Sequence, residues 1–149
     1  MPEPRDRSTR KADLIRALTA GAADAWVATA SPEGGPHLVP LSVAWIDDRA
    51  AIALEAASLT ARNLAGSGVA RLGVGPTRDV ALLDVVLERS CGVDDDPGLG
   101  EAYAAQADWD PRGLDGYVFL VLRPTRIQAW RESNELVGRV LMRDGVWLV

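Results

Sequence analysis

Apolar and polar positions alternate with a period of two along most of the chain. "AWVATA" (25–30), "HLVPLSVAWI" (37–46), "AAIALEAA" (50–57), "VARLGVG" (69–75), "DVALLDVVLERS" (79–90) and "GYVFLVLRPTRIQAW" (116–130) all carry it. That period marks strands with one face buried. The closing "GRVLMRDGVWLV" reads as a hairpin with Asp144-Gly145 as its tight turn. Helical spacing is confined to three places. Over 8–20, Leu14, Ile15 and Leu18 form an apolar stripe behind Ser8 or Thr9 as N-cap, and Gly21 is the stop. "SLTARNLAG" (58–66) predicts a short helix with Ser58 or Thr60 near its start. "DDDPGLGEAYAAQADW" contains a third helix, with Asp96 and Pro97 at its N-cap and first position.

Turn clusters such as "SPEGGP" and "DDR" join successive strands, so hairpins dominate and no βαβ alternation appears. About seven strands with two or three helices predict a mainly β fold: a closed or partly open β-barrel with peripheral helices, one domain over 1–149. The second strand poses a question. His37, Val39, Leu41, Val43 and Trp45 share one face, and Leu38, Pro40, Ser42 and Ala44 the other. Proline forfeits a ladder donor, so Pro40 belongs at an edge, a bulge or an opening in the sheet. Pro124 predicts a bend in the long strand.

The chain has 149 residues, 48% hydrophobic and 25% charged, as in an ordinary globular domain. A net charge of −5 excludes a basic nucleic-acid-binding surface as the main feature. No apolar run is long enough for a bilayer, and no apolar segment follows the N-terminal charges, so the expected location is cytoplasmic. Cys91 and His37 are each alone, so neither an intrachain disulfide nor a structural zinc site is expected. Cys91 reads as a small half-buried residue at a strand end. The cations are Lys11 and fifteen arginines.

The order of motifs carries more. A helix leads to "WVATA", a Gly-rich turn, "PHLVPLSVAW", a strand, "SLTARNL" and "VARLGVG". This resembles the pyridoxamine 5'-phosphate oxidase-like superfamily of split β-barrel flavin- and deazaflavin-dependent oxidoreductases. The resemblance covers roughly 10–90 and 115–149. The ending "RIQAWRESNELVGRVLMRDGVW" is similar to small actinobacterial members. It implies a homodimer with two cofactor grooves between the subunits. The cofactor implied is FMN or the deazaflavin coenzyme F-420, haem in some members and none in others. Hydride transfer to a small planar substrate stacked on the cofactor is the implied reaction, with no catalytic side chain required. A non-catalytic carrier or sensor of flavin, haem or another planar ligand is the alternative.

The resemblance also assigns residues. The family's phosphate-binding stretch typically reads Ser-Arg-Lys, then x-Arg-Asn-Leu. Ser58, Arg62 and Asn63 match it, whereas Leu59 and Thr60 replace the arginine and lysine. Losing the lysine alone weakens a phosphate contact about tenfold or more. Arg78 is the expected substitute, and the departure tilts the expectation from FMN toward the deazaflavin. Pro40, Ser42, Val43 and Ala44 are expected to flank the ring, with backbone amides toward its pyrimidine edge. His37 borders the same strand, either as a proton donor or, preferred, as a strand-start histidine making a hydrogen bond. Among five tryptophans, Trp26 and Trp45 are expected in the core or a dimer interface. Trp109 and Trp130, with Trp147, can wall a substrate groove, core packing being the competing role. True pyridoxamine phosphate oxidase activity is not expected, because the spacing around Arg139 and Arg143 does not supply its second phosphate pocket.

Overall fold

The computed structural model describes all 149 residues. Helix α1 (Arg7–Thr19) leads into strands β1 (Asp24–Ala30), β2 (Pro36–Ser42), β3 (Ala44–Ile46) and β4 (Arg49–Glu55). Helix α2 (Leu59–Ser67), β5 (Val69–Val74), β6 (Val80–Gly92), helix α3 (Pro97–Gln106) and β7 (Tyr117–Trp130) follow. A 3-10 turn at Ser133–Glu135 precedes the hairpin of β8 (Val140–Arg143) and β9 (Val146–Trp147). No helix is long and apolar enough to cross a membrane. The cap of α1 differs from expectation. Asp6, not Ser8 or Thr9, caps the helix, its carboxylate accepting the Thr9 N–H at 2.7 Å. A carboxylate at the positive end of the helix dipole is the stronger acceptor.

Every pairing is antiparallel, and the hydrogen-bonded path runs β2-β1-β5-β6-β7-β4-β3, with β8 on β7 and β9 on β8. β2 and β3 are neighbours in sequence yet end this path on opposite sides. The expected strand 37–46 is therefore broken at Val43, whose side chain is fully buried and whose N–H donates to the Ala23 carbonyl at 2.9 Å. Periodicity could not reveal the break, because Leu41, Val43 and Trp45 stay in phase across it. The step closes the sheet into a barrel and leaves the far edge of β2 without a strand partner. Pro40 stands opposite Trp26 on this terminal strand. A residue without an N–H fits only a pair that does not bond across the ladder, so its missing donor faces the unpaired edge.

The barrel interior is filled by Val27, Ile52, Leu72, Leu83, Leu122 and Ile127, with Leu14 and Leu18 of α1 and Leu64 of α2 plugging it. A second apolar layer lies outside. There Leu99 and Tyr103 of α3 cover Ala44, Ala51, Ala53, Phe119 and Val121, and the three alanines let the helix approach the sheet closely. The bend at Pro124 is a bulge. Asp84 faces Arg126 while Val85 faces Pro124, which leaves Thr125 unpaired, its hydroxyl donating to the Asp84 carbonyl at 3.2 Å. Two hairpin turns use paired positive φ: Asp144-Gly145 (52° and 76°), as expected, and Asp47-Asp48 (51° and 56°).

Candidate functional site

Helix α2 organises one end of the barrel. The Ser58 hydroxyl accepts the Ala61 N–H at 3.2 Å as N-cap, and Gly68 in the left-handed region ends the helix. Thr60, Ala61, Asn63 and Leu64 face the barrel and are buried, while Leu59 and Arg62 face outward. Asn63 Nδ2 donates to Thr29 Oγ1 at 3.1 Å, both side chains being buried, and so ties α2 to β1. Thr29 stands opposite His37 in the β1–β2 ladder. Directly opposed residues share a face, so the half-buried His37 joins the same end. Ser58, Thr60, Arg62, Asn63 and His37 thus come together.

Their availability differs. Ser58 and Asn63 are committed to the helix cap and to Thr29. Arg62 has neither a carboxylate partner nor a hydrogen bond to the protein, whereas Arg5, Arg49, Arg71 and Arg89 are all ion-paired. Arg62, Asn63, Gly66 and Ser67 face Ala30, Ser31 and Pro32 across a notch of about 160 Å³. At Ala30, Ser31 and Ser67 the notch opens into a groove of about 460 Å³ over the outer face of β1, β5 and β6.

The residues expected to flank a ring are arranged otherwise. Pro40 is exposed on the outer face and Ser42 is half-buried opposite Asp24. Val43 and Ala44 are wholly internal, Ala44 beneath α3. Two of the residues beside a pyrimidine edge have their backbone groups engaged. Val43 N–H goes to Ala23, and the Gln106 carboxamide takes both backbone groups of Trp45, accepting its N–H and donating to its carbonyl at 3.0 Å. The α2 end therefore fits an anionic tail; at β3 the backbone groups of Trp45 are held by Gln106, while the outer edge of β2, which carries Pro40 and Ser42, is unpaired.

Arg78 lies beyond the other end of β5 from α2, with Nη1 at 3.0 Å from both carboxylate oxygens of Glu132. It does not replace the missing charges at 59 and 60 within this chain. Trp109 packs edge-on against Tyr103 (6.2 Å) and Tyr117 (6.1 Å) in the layer under α3. Trp130 is half-buried opposite Val80, with the Arg139 guanidinium 5.9 Å from its ring. Neither belongs to the α2 end. Trp45 is core as expected; Trp26 is 54% exposed. Cys91 is half-buried, and burial raises its thiol pKa, which suits a packing role. No cluster of His, Cys, Asp and Glu has the arrangement of a metal site. The groove escaped the sequence reading, although its signal was present: Ala28 and Ala30 are small residues on the outward phase of "AWVATA", beside Trp26.

No family model matches the sequence, and no curated protein matches it. Solved structures do. An F-420 reductase superposes with a TM-score of 0.61 at 17% identity, covering 75% of this chain and 94% of its own. A putative pyridoxamine 5'-phosphate oxidase from Listeria innocua gives 0.62 at 10% identity, covering 82% and 98%. A haem-binding protein from Mycobacterium smegmatis gives 0.66 at 19%, covering 97% of this chain but 60% of its own. At such identities the likeness is one of fold: the chain has the split β-barrel fold of the pyridoxamine 5'-phosphate oxidase-like proteins.

Proposed function

We propose that the protein binds a planar ring compound through an anionic tail held at Arg62, and that it works as an oxidoreductase, as a homodimer. Coenzyme F-420 is the first candidate and FMN the second. The carrying observation is Arg62, an exposed guanidinium with no protein partner on the wall of a concave notch. An FMN phosphate monoester carries close to two negative charges and calls for more than one cation. Leu59 is 41% exposed and apolar, Thr60 is buried, and Arg78 is held by Glu132, which leaves one. The phosphate of F-420 is a diester with a single charge, which one arginine matches, and the carboxylates of its tail extend beyond that point.

When bound, such a cofactor supplies hydride transfer. The chain's own work is to hold the tail at Arg62, with Ser31 and Ser67 lining the notch, and to orient the ring. That structures of this fold include an F-420 reductase supports the reading. Titration of the protein with F-420 and with FMN, followed by tryptophan quenching, tests it. Binding of neither at high micromolar concentration would sink it. A haem carrier is the second reading, favoured by the half-buried imidazole of His37 at the α2 end and by haem-binding proteins of the same fold. There His37→Ala should abolish the Soret shift.

A further inference from the structure

The first turn of α1 gathers positive charge that the protein leaves without a counter-ion, and we propose that it binds a phosphate monoester in a hollow over Gly138. The hollow is remote from Arg62. Arg10 bonds to Ala129, which pairs with Ala81, itself opposite Val74 at the end of β5 away from α2. The inference is therefore independent of the tail reading above.

Arg7 and Arg10 stand in a first turn that carries no acidic residue. The helix dipole is already positive there. Asp6, the N-cap, commits its carboxylate to the Thr9 N–H. None of the chain's ion pairs uses Arg7 or Arg10. Arg10 is 4% exposed, and its bonds go to carbonyls alone: Nε to Asp6 at 3.3 Å, Nη1 to Ala129 at 3.1 Å and to Glu135 at 3.5 Å. Its Nη2 donates to no protein group. Burial first, then the nearby Arg5 and Arg7, lower the Arg10 pKa against the opposing pull of Glu135 and Asp6. The Glu135 carboxylate is engaged by Arg5 and by the Arg131 N–H. A buried cation without an ionic partner calls for an anion.

The second guanidinium converges on the same place. Arg7 is exposed and makes one bond, from Nε to the Gly138 carbonyl at 3.2 Å. Gly138 has a φ of 75°. Chain neighbours aside, a Cβ built on it would meet Arg7 Nε and Nη2 at 3.8 Å and Arg10 Nη2 at 3.9 Å, and nothing closer. The nearest side-chain atoms around the hollow are thus guanidinium nitrogens of two residues. Arg7 and the adjacent Val137, 92% exposed, put it at the surface. A carboxylate presents two coplanar oxygens and is matched by one planar fork. A tetrahedral phosphate offers a separate oxygen to each of two. Two arginines also match the nearly double charge of a monoester.

The test titrates the isotope-labelled full chain with inorganic phosphate, and with sodium chloride at equal ionic strength, followed by NMR. Phosphate should shift the Gly138 N–H and Arg7 Nε–H resonances saturably, and chloride should not. Glycerol phosphate should bind as inorganic phosphate does, its ester oxygen facing solvent. Arg7→Gln, an exposed change checked by a thermal melt, should weaken phosphate about tenfold or more. Arg62→Ala should bind it as the wild type does. Unchanged affinity in Arg7→Gln, a chloride response equal to that of phosphate, or no saturation at high millimolar concentration would overturn the proposal. Loss of binding in Arg62→Ala with Arg7→Gln unaffected would move the phosphate to the α2 notch and overturn it too. Acetate binding as tightly as phosphate, or rejection of glycerol phosphate, would overturn the ligand class.

Discussion

Replacing Glu135 with glutamine should cost more stability than any surface substitution, and the cost should depend on pH. The Glu135 side chain is 2% exposed beside Arg5 at 9%. Its carboxylate accepts the Arg5 backbone N–H (2.8 Å), Arg5 Nε (3.0 Å) and Nη2 (2.9 Å), and the Arg131 backbone N–H (2.8 Å). Arg5 also reaches Asp13 at 2.8 Å and Asp79 at 3.1 Å, so one guanidinium pins the N-terminal segment to α1, the β5–β6 turn and the 3-10 turn. These bonds, the Arg5 side chain first, hold the Glu135 pKa down from 4.5 to about 2, against the opposing effect of burial. The shift corresponds to about 3 kcal/mol of stability at neutral pH. A depressed carboxylate contributes fully above its unfolded pKa and loses the contribution as pH falls toward the folded one. Urea unfolding at pH 7 should therefore show Glu135→Gln weaker by about 2–4 kcal/mol. The gap should narrow by about 1 kcal/mol between pH 4.5 and 3.5. A gap under about 1 kcal/mol at pH 7, or one constant from pH 7 to 3.5, would refute the reasoning.

Three further outcomes follow from single groups. Tyr103 is fully buried, its hydroxyl makes no hydrogen bond of good geometry although Trp109 and the Ala53 backbone lie beside it, and burial raises its pKa. Tyr103→Phe should thus be neutral or stabilising by up to about 1 kcal/mol in urea unfolding, whereas a loss above about 1 kcal/mol would mean that the hydroxyl is satisfied. Gln106→Leu removes both bonds to Trp45; it should cost about 1–3 kcal/mol and speed amide exchange at Trp45, and unchanged exchange would show the clamp to be incidental. Asp48→Gly relieves a positive-φ residue in the β3–β4 turn (φ 56°) and should raise Tm by a few degrees; a lower Tm would contradict the strain argument.

The barrel was legible because its strands alternate with little interruption, from "AWVATA" to the long run ending at Trp130. What stayed hidden was any feature set by partners distant in sequence. Val43 continues the alternation perfectly, yet Ala23 and Gln106 divide its strand between two ends of the sheet. Arg78 looks available in sequence until the fold brings up Glu132. Asp6 outcompetes Ser8 and Thr9 through a local bond, which the sequence did contain. At the site, "SLTARNL" pointed to α2, and the half of that motif facing outward, Arg62, is the part still open to a ligand. The groove needs three strands in register before its small residues form a floor.

The most direct test of the account is one titration series, F-420 and FMN against wild type and Arg62→Ala. The account predicts that F-420 binds at least about tenfold more tightly than FMN and that Arg62→Ala loses about tenfold for F-420 with no change in Tm. Equal F-420 affinity in the two proteins, or no binding of either cofactor at high micromolar concentration, would contradict it.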